Sequence, residues 1–152
     1  MPTGGCLCGA VRYSIVDSTE PIYNVICHCD NCKKASGSLI KCASIYPKAS
    51  FEIVAGIPKQ YRDGATDSTK PLFRHFCGDC GGALFSLTPL NEQIVSVSVG
   101  SMDGSSETWR PNKEQYIETK SHWLPDFKLA KKSEIPEKHR RGPVSPPPTG
   151  RI

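Results

Sequence analysis

The fold of this chain is decided by GGCLCG, residues 4–9, together with its later counterpart CGDCGG, residues 77–82. Each stretch carries two cysteines on a short turn, and structural zinc sites commonly join two such turns through four thiolates. The surrounding glycines permit the positive φ angles with which a backbone wraps around a metal ion. We therefore predict a closed, structural zinc site. Its four ligands are Cys6, Cys8, Cys77 and Cys80.

A third cluster, CHCDNC at residues 27–32, supplies only three cysteines, which are Cys27, Cys29 and Cys32. Three protein ligands leave one position of the zinc tetrahedron open to water or to a substrate. The chain is therefore expected to bind two zinc ions, one structural and one chemically available.

Several side chains are candidates for a fourth ligand at this second zinc, and so is a molecule from solution. His28 lies between two cysteines on an extended segment, so it is expected to point away from the metal that they share. Cys42 lies in the strand-like run KCASIY, where a lone cysteine is more often a small buried hydrophobe than a ligand. His75, two residues before Cys77, could be either a ligand or a packing residue.

Disulfides and redox chemistry are the competing explanations for eight cysteines. The N-terminus lacks the charged start and apolar run of a signal peptide, and no stretch is apolar over a membrane-spanning length. We therefore expect a cytoplasmic protein, and in a reducing compartment clustered cysteines are more often metal ligands than bridges. Redox CxxC motifs normally accompany a βαβ unit, and this chain shows no such alternation.

The length of 152 residues suits one domain, and we place it at residues 1–130. From Lys128 to Ile152 the chain has seven Lys and Arg against two Glu, so the formal charge of +4 belongs to this end. Residues 131–152 are basic and Pro-rich, and we expect this tail to be disordered or loosely packed. Its short basic run KHRR is more often a solvated tail than a nucleic-acid contact.

Short strands account for most of the predicted secondary structure. Runs rich in β-branched and aromatic residues, bounded by Gly, Pro, Asp or Ser, predict strands at residues 11–16, 23–27, 39–45, 51–54, 72–76 and 94–99. One short helix is predicted at residues 30–36, with Asp30 capping its first turn and Gly37 ending it in the left-handed conformation. Cys32 then lies in the first turn of that helix.

The three cysteine segments also carry a resemblance to a known family. GGCLCGAVRY, CHCDNCKKASGS and FCGDCGGALF resemble the glutathione-dependent formaldehyde-activating enzymes, a family that includes the domain of centromere protein V. The likeness runs from Gly4 to about Phe127, where VSVGSMDG and IETKSHWLPDF are similar to the closing segments of the family. It implies a mainly β, Mss4-like zinc-binding fold of short antiparallel sheets, with a structural and a second zinc at the two cysteine groups given above. Lys33 and Tyr116 depart from the family, which often has Arg and His at these positions.

Three thiolates on a divalent zinc leave a charge near −1, which suits a soft sulfur ligand better than the generation of hydroxide. With the resemblance, this predicts a zinc-dependent carbon–sulfur lyase or synthase that acts on adducts of a thiol, glutathione, with a carbonyl compound, as S-(hydroxymethyl)glutathione synthase does. Neither a membrane nor a nucleic acid is expected as a partner. The candidate substrate-binding residues near the open zinc are Lys33, Ser36, Ser38 and Trp123, with Lys34 beside them. The alternatives are a non-catalytic zinc module that binds a protein or nucleic acid, and a redox or metal-buffer protein.

Overall fold

Ten short strands and two short α-helices make up the part of the chain that the computed structural model describes, which is residues 2–16 and 19–130. The strands are β1 Thr3–Gly5, β2 Arg12–Ile15, β3 Tyr23–Cys27, β4 Lys41–Pro47, β5 Phe51–Ala55, β6 Lys59–Asp63, β7 Leu72–Phe76, β8 Ala83–Leu87, β9 Ile94–Ser98 and β10 Lys113–Gln115. The helices are α1 Asp30–Ser36 and α2 Ser105–Thr108, with single 3₁₀ turns at Lys48–Ser50, Val99–Ser101 and Ile117–Thr119.

The strands form two sheets. The larger has seven strands in the order β10-β3-β4-β9-β8-β7-β6, and the smaller has three in the order β1-β2-β5. All neighbouring strands are antiparallel except β10 and β3, which are parallel. The prediction of a mainly β fold with a short helix beside the middle cysteine cluster is therefore confirmed.

The hydrophobic core lies between the two sheets. Phe51 of the small sheet packs on Tyr13 of the same sheet and on Phe85 of the large sheet, with ring centroids 5.1 and 4.8 Å apart. Val95 and Val97 are the buried positions of the alternating strand β9, and alternation with period two is what places one face of a strand in a core. Cys6 and Cys77 belong to the same buried cluster, so the first metal site is continuous with the core.

The strand predictions succeed where a strand has one apolar face. Strands β3 and β7 have the predicted bounds, and β2, β4, β5 and β9 lie within two residues of them. Strands β1, β6, β8 and β10 were not predicted. Four of the five residues of β6 are exposed because it is an edge strand, so its sequence KQYRD shows no apolar alternation. Strands β1 and β10 have three residues each, too few for a period to be seen.

The predicted helix is present at the predicted residues, and Gly37 ends it with φ 63° in the left-handed conformation. The predicted N-cap is wrong: Cys29 caps the helix, and its Sγ accepts the N–H of Cys32 at 3.3 Å. Asp30 is instead the first residue of the helix, where its carboxylate lies 3.4 Å from Lys33 Nζ. The three-cysteine cluster holds Cys29 Sγ over the first turn of the helix, so the sulfur, and not the Asp30 carboxylate, accepts the free backbone N–H.

No helix among the described residues is long and apolar enough to cross a membrane. The predicted basic tail, residues 131–152, lies outside the described residues.

Candidate metal centres and the adjoining cleft

The four-cysteine cluster lies where the two sheets meet. Cys6 and Cys8 are in the turn between β1 and β2, and Cys77 and Cys80 are in the turn between β7 and β8. Their four Sγ atoms lie within 4.8 Å of one another, with Cys6 3.5 Å and Cys77 3.7 Å from Cys8. A tetrahedral zinc with bonds of about 2.3 Å requires sulfurs about 3.8 Å apart. The cluster therefore fits a tetrahedral metal ion.

Each turn is closed by a backbone hydrogen bond from a glycine to the carbonyl of the first cysteine of the turn. Gly9 donates its N–H to Cys6 O at 3.1 Å, and Gly81 donates to Cys77 O at 3.0 Å. Both glycines have a positive φ, 79° and 72°, a conformation that costs other residues about 1–2 kcal/mol. The prediction that glycines permit these angles is thus confirmed at two positions. Gly4 serves differently, because a Cβ there would lie 2.2 Å from the Tyr13 hydroxyl.

Backbone N–H groups point at the sulfurs of this cluster. Val11 N–H donates to Cys6 Sγ at 3.3 Å, and Asp79 N–H donates to Cys77 Sγ at 3.4 Å. Hydrogen bonds from backbone N–H groups lower the pKa of Cys80 to about 6, since they stabilise the thiolate. Metal ligation requires the thiolate form, so the backbone prepares this cluster for a metal.

The three-cysteine cluster is built at the junction of β3 and α1. Cys27 ends the strand, Cys29 caps the helix and Cys32 lies in its first turn. The three Sγ atoms lie within 4.8 Å of one another, and Cys27 and Cys29 are 3.5 Å apart. Among the described residues, no His, Cys, Asp or Glu joins them as a fourth ligand. This cluster can therefore hold a metal ion with one position left open.

Charge in this cluster is concentrated on one sulfur. Hydrogen bonds from Cys27 and Cys29 lower the pKa of Cys32 to about 2, with smaller help from the positive charges of Lys41 and Arg74. Hydrogen bonds with Cys29 and then Cys32, followed by burial, raise the pKa of Cys27 far above its ordinary value. Crowded thiols resist further ionisation because like charges repel. A bound cation is what would allow all three to be thiolates, so the donor set suits a soft divalent metal.

His28, a predicted non-ligand, contacts the C-terminal segment instead of the cluster. Its ring is buried, and Nε2 lies 2.7 Å from Glu114 Oε1. The strand alternation behind the prediction is the reason, because Cys27 and His28 point to opposite sides. Lys120 Nζ lies 3.4 Å from the same carboxylate oxygen and 4.9 Å from the ring centroid of Phe127. These contacts hold the segment after β10 against the side of residues 27–32 that carries the His28 ring.

The other two candidates for a fourth ligand also lie elsewhere. Cys42 is opposite Ile26 in the β3–β4 pairing, so its side chain is on the other face from Cys27. Cys42 is half-buried, and this burial raises the pKa of its thiol. His75 stacks on Phe85 with ring centroids 4.2 Å apart. Neither residue is part of a metal-ligand cluster among the described residues.

A cleft of about 460 Å³ lies between α1 and the face of the large sheet that carries Cys27. None of the three cysteines lines it, but Lys41, which does, is directly opposite Cys27 in the strand pairing. The helix contributes Asn31, Lys34 and Ala35 to its wall. The sheet contributes the charged residues Lys41, Asp63 and Arg74, together with aromatic and small side chains. A cavity of this size with a few polar groups is typical of a small-molecule site.

The four predicted substrate residues lie outside the lining of this cleft. Lys33 Nζ donates to Thr119 O at 2.6 Å. Ser36 Oγ donates to the carbonyl four residues earlier at 2.8 Å, and Ser38 Oγ accepts the N–H two residues later at 3.4 Å. Trp123 is 62% exposed. Each has a local contact or a solvent position, and a substrate role for any of them stays a prediction.

Sequence reasoning missed three residues near the open cluster. Lys41 and Arg74 come close to Cys32 only through strand pairing, and no local pattern indicates this. Tyr116 has φ 58°, an uncommon conformation for a residue with a side chain and one that clusters at functional sites. Burial raises its pKa, and the nearby negative charge of Asp67 raises it further. The only sequence signal for Tyr116 was its departure from the family pattern.

Comparison with known proteins agrees with this arrangement. A family model described as glutathione-dependent formaldehyde-activating enzyme matches residues 1–119. A Halomonas elongata protein provisionally named as such an enzyme is 30% identical over 125 residues, 80% of this chain and 78% of that protein. A Phaeosphaeria nodorum protein with the same provisional name is 28% identical over 80 residues, 53% of this chain and 40% of its own length.

The fold is also found in a solved structure. A crystal structure of a Rhodobacter sphaeroides protein matches with a TM-score of 0.53 and 21% identity, covering 67% of this chain and 88% of that one. At this identity the match concerns the fold alone. The family model, which spans both cysteine clusters, carries the assignment: this chain belongs to the glutathione-dependent formaldehyde-activating enzyme family.

Proposed function

We propose that this protein is a zinc-dependent enzyme that makes or breaks the bond between the sulfur of glutathione and the carbon of a carbonyl compound such as formaldehyde. This is a carbon–sulfur lyase or synthase activity. The observation that carries the proposal is the cluster of three cysteines beside a cleft, with no fourth ligand among the described residues. Membership of the family supports the choice of thiol and carbonyl.

The two cysteine clusters have different roles in this proposal. The cluster of four, which joins the two sheets, holds a structural zinc. The cluster of three would hold the second zinc, and a zinc bound there would be a Lewis acid that lowers the pKa of a thiol bound to it. Three cysteine thiolates exceed the +2 charge of zinc by one, so this site favours a soft sulfur ligand over water.

In the addition, the thiol loses its proton and a carbon–sulfur bond forms as the carbonyl π electrons move to oxygen, which takes up a proton. Cleavage of the adduct is the reverse. Tyr116 lies near Cys29 and Cys27, and its phenol, with an ordinary pKa of about 10, is protonated at neutral pH, so we assign it as the hydrogen-bond donor to that oxygen. A donor placed where negative charge develops stabilises the transition state.

The first test is a metal count combined with a rate measurement. We expect two zinc ions per chain and a faster exchange between formaldehyde and its glutathione adduct, followed by NMR with ¹³C-formaldehyde. Cys29→Ser should keep one zinc and lose the acceleration. Cys42→Ser is the matched control, since Cys42 belongs to neither cluster, and it should keep both zinc ions and the wild-type rate.

A wild-type rate no greater than the rate in buffer would refute the enzyme proposal. Two zinc ions without any acceleration would favour the non-catalytic binding module, and a metal count of one would reject the two-site scheme. Tyr116→Phe tests the proposed donor: kcat should fall about a hundred-fold with the zinc content unchanged, as for removal of one oxyanion donor in other enzymes.

A further inference from the structure

We propose that Lys33 is a positioning residue, which fixes the turn that carries Tyr116 against the three-cysteine cluster, and not a residue that binds substrate. The inference deepens the proposed function and rests on it, because Tyr116 is the assigned donor to the substrate oxygen. Three features carry it: the backbone conformation of Tyr116, the hydrogen bonds of the turn that follows it, and the position of the Lys33 ammonium group.

Strand β10 brings Tyr116 to the three-cysteine cluster. Gln115, the last residue of β10, is directly opposite Cys27 in the parallel pairing with β3, and neighbouring strands lie about 4.8 Å apart. The carbonyl of Gln115 accepts the N–H of His28 at 3.1 Å. Tyr116 follows directly where this pairing ends, and it lies near Cys27 and Cys29.

The backbone of Tyr116 needs support from its surroundings. It has φ 58° and ψ 49°, the left-handed conformation, which costs free energy in any residue with a side chain. Such a conformation persists only where neighbouring contacts hold it. Tyr116 directly precedes the 3₁₀ turn Ile117–Thr119, so the contacts of this turn decide whether Tyr116 keeps its position.

Thr119, the last residue of the turn, holds it to the cysteine segment. Its N–H donates to Tyr116 O at 3.1 Å. Its hydroxyl oxygen lies 2.8 Å from His28 O and 3.0 Å from Tyr116 O, and it donates to these carbonyls. His28 therefore contacts this segment through both of its backbone groups, through its N–H before Tyr116 and through its carbonyl after it.

Lys33 fastens the same turn to helix α1. Its Nζ donates to Thr119 O at 2.6 Å, and its side chain is 18% exposed. Asp30 Oδ1 lies 3.4 Å from the same Nζ, but the Asp30 side chain is 66% exposed, and an exposed ion pair contributes little. Hydrogen bonds from a charged donor are among the stronger ones. The ammonium group is thus directed at the turn, which favours a role through Tyr116 over the substrate contact predicted from the sequence.

The contact between Lys33 and Thr119 joins the two halves of the proposed site. Lys33 directly follows Cys32 in α1, whereas Thr119 is three residues after Tyr116 in the facing segment. The position of the phenol relative to the sulfurs therefore depends on this contact. Because a displacement of about 1 Å can lower a rate about a hundred-fold, loss of the contact should lower kcat without changing how the thiol binds.

Steady-state kinetics of the zinc-loaded protein would separate the two roles of Lys33. Lys33→Met removes the donor and keeps much of the side-chain length, and we expect kcat to fall about ten-fold with KM for glutathione and zinc content unchanged. Lys33→Arg keeps a charged donor and should retain most of the wild-type kcat. Thr119→Val removes the hydroxyl contact of the same turn and should act in the same direction as Lys33→Met.

Lys48→Met is the matched control, because Lys48 is exposed and follows the end of β4 that is distant from the three-cysteine cluster. Seven strand residues span about 23 Å, so this change should leave kcat and KM as in the wild type. An unchanged kcat in Lys33→Met would overturn the inference, as would a higher KM alone. A loss of zinc in Lys33→Met would also overturn it, since the ammonium group would then serve the thiolates.

A double variant tests whether Lys33 acts through Tyr116. Tyr116→Phe removes the group that Lys33 is proposed to position, so the addition of Lys33→Met should lower kcat no further. Two effects that multiply in the double variant would mean that the two residues act independently, and they would reject the positioning role.

A spectroscopic measurement makes the inference independent of turnover. In zinc-loaded protein labelled with 3-fluorotyrosine, the ¹⁹F resonance of Tyr116 is assigned by its absence from Tyr116→Phe. This resonance should shift or broaden in Lys33→Met and keep its wild-type position in Lys33→Arg and Lys48→Met. An unchanged resonance in Lys33→Met would refute the contact. A wild type that does not accelerate the exchange would reject the proposed function, and the ¹⁹F spectrum would still decide whether Lys33 holds Tyr116.

Discussion

Replacement of Cys77 by serine should unfold the domain, whereas the same change at Cys29 should not. Cys77 is 1% exposed and part of the core, and its Sγ lies 3.7 Å from Cys8 Sγ on the other sheet. A structural zinc contributes about 10–16 kcal/mol of apparent binding free energy, and the net stability of a domain is about 5–15 kcal/mol. Loss of even one third of the zinc contribution, about 3–5 kcal/mol, would remove much of that stability.

Cys29→Ser is the matched variant because it removes a ligand from the cluster that joins one strand to its own helix. Cys29 also caps α1 through its sulfur, and serine is a favourable N-cap residue. The helix should therefore survive the loss of the metal.

Urea unfolding followed by far-UV circular dichroism, with equimolar zinc present, would measure both variants. Cys77→Ser should be unfolded or at least about 3 kcal/mol less stable than the wild type, and Cys29→Ser should lie within about 1 kcal/mol of it. Equal stability of the two variants would refute the structural role of the four-cysteine cluster.

Other consequences can be measured separately. Gly81 has a positive φ, so Gly81→Ala should lower the free energy of unfolding by about 1–2 kcal/mol. Gly100 has no positive φ and open space for a Cβ, so Gly100→Ala should leave the stability unchanged. Equal effects of the two substitutions would exclude backbone strain as the cause. Hydrogen bonds from Arg12 and then Thr3 lower the pKa of Asp103 in the folded protein below its ordinary value of 3.8. The contact therefore stabilises the fold fully at a pH above 3.8, and this stabilisation is lost as the pH falls through the lowered pKa. In Arg12→Gln, carboxyl NMR should show that pKa return toward 3.8; an unchanged midpoint would contradict this. Glu114→Ala should cost about 1–3 kcal/mol in urea unfolding because it leaves the buried imidazole unpaired, and Glu114→Gln, which keeps an acceptor, should cost less.

Local sequence was sufficient for features that depend on neighbours along the chain. The helix at residues 30–36 was predicted because Gly37 ends it locally. Strands with one apolar face were predicted from their alternation, as in β9. The N-cap of the helix was assigned wrongly to Asp30, because the cap is the sulfur of Cys29. That sulfur lies over the first turn only when the three-cysteine cluster has formed.

Features that depend on pairing between distant strands were not predictable in this way. The edge strand β6 has polar residues on both faces, so its sequence resembles a loop until a neighbour is known. Lys41 belongs to the cleft because β4 pairs with β3 in a register that sets it opposite Cys27. A shift of one residue would have placed it on the other face. Arg74, which is 33 residues after Lys41 in the chain, lines the same cleft from strand β7.

By itself, the sequence determined that the seven cysteines form three tight groups, because short spacings on a turn bring sulfurs together locally. It also predicted that the first and last pairs share one site, and the contact between the two sheets brings those pairs together. The prediction that glycines permit positive φ angles beside the cysteines was also confirmed, at Gly9 and Gly81. Tertiary structure alone decided what surrounds the group of three: a cleft lined by Lys41 and Arg74, and a tyrosine in a left-handed conformation. The physical reason is that the cysteines of one turn are held together by local backbone geometry, whereas the wall of a cleft is set by strand register and by the packing of a helix across a sheet.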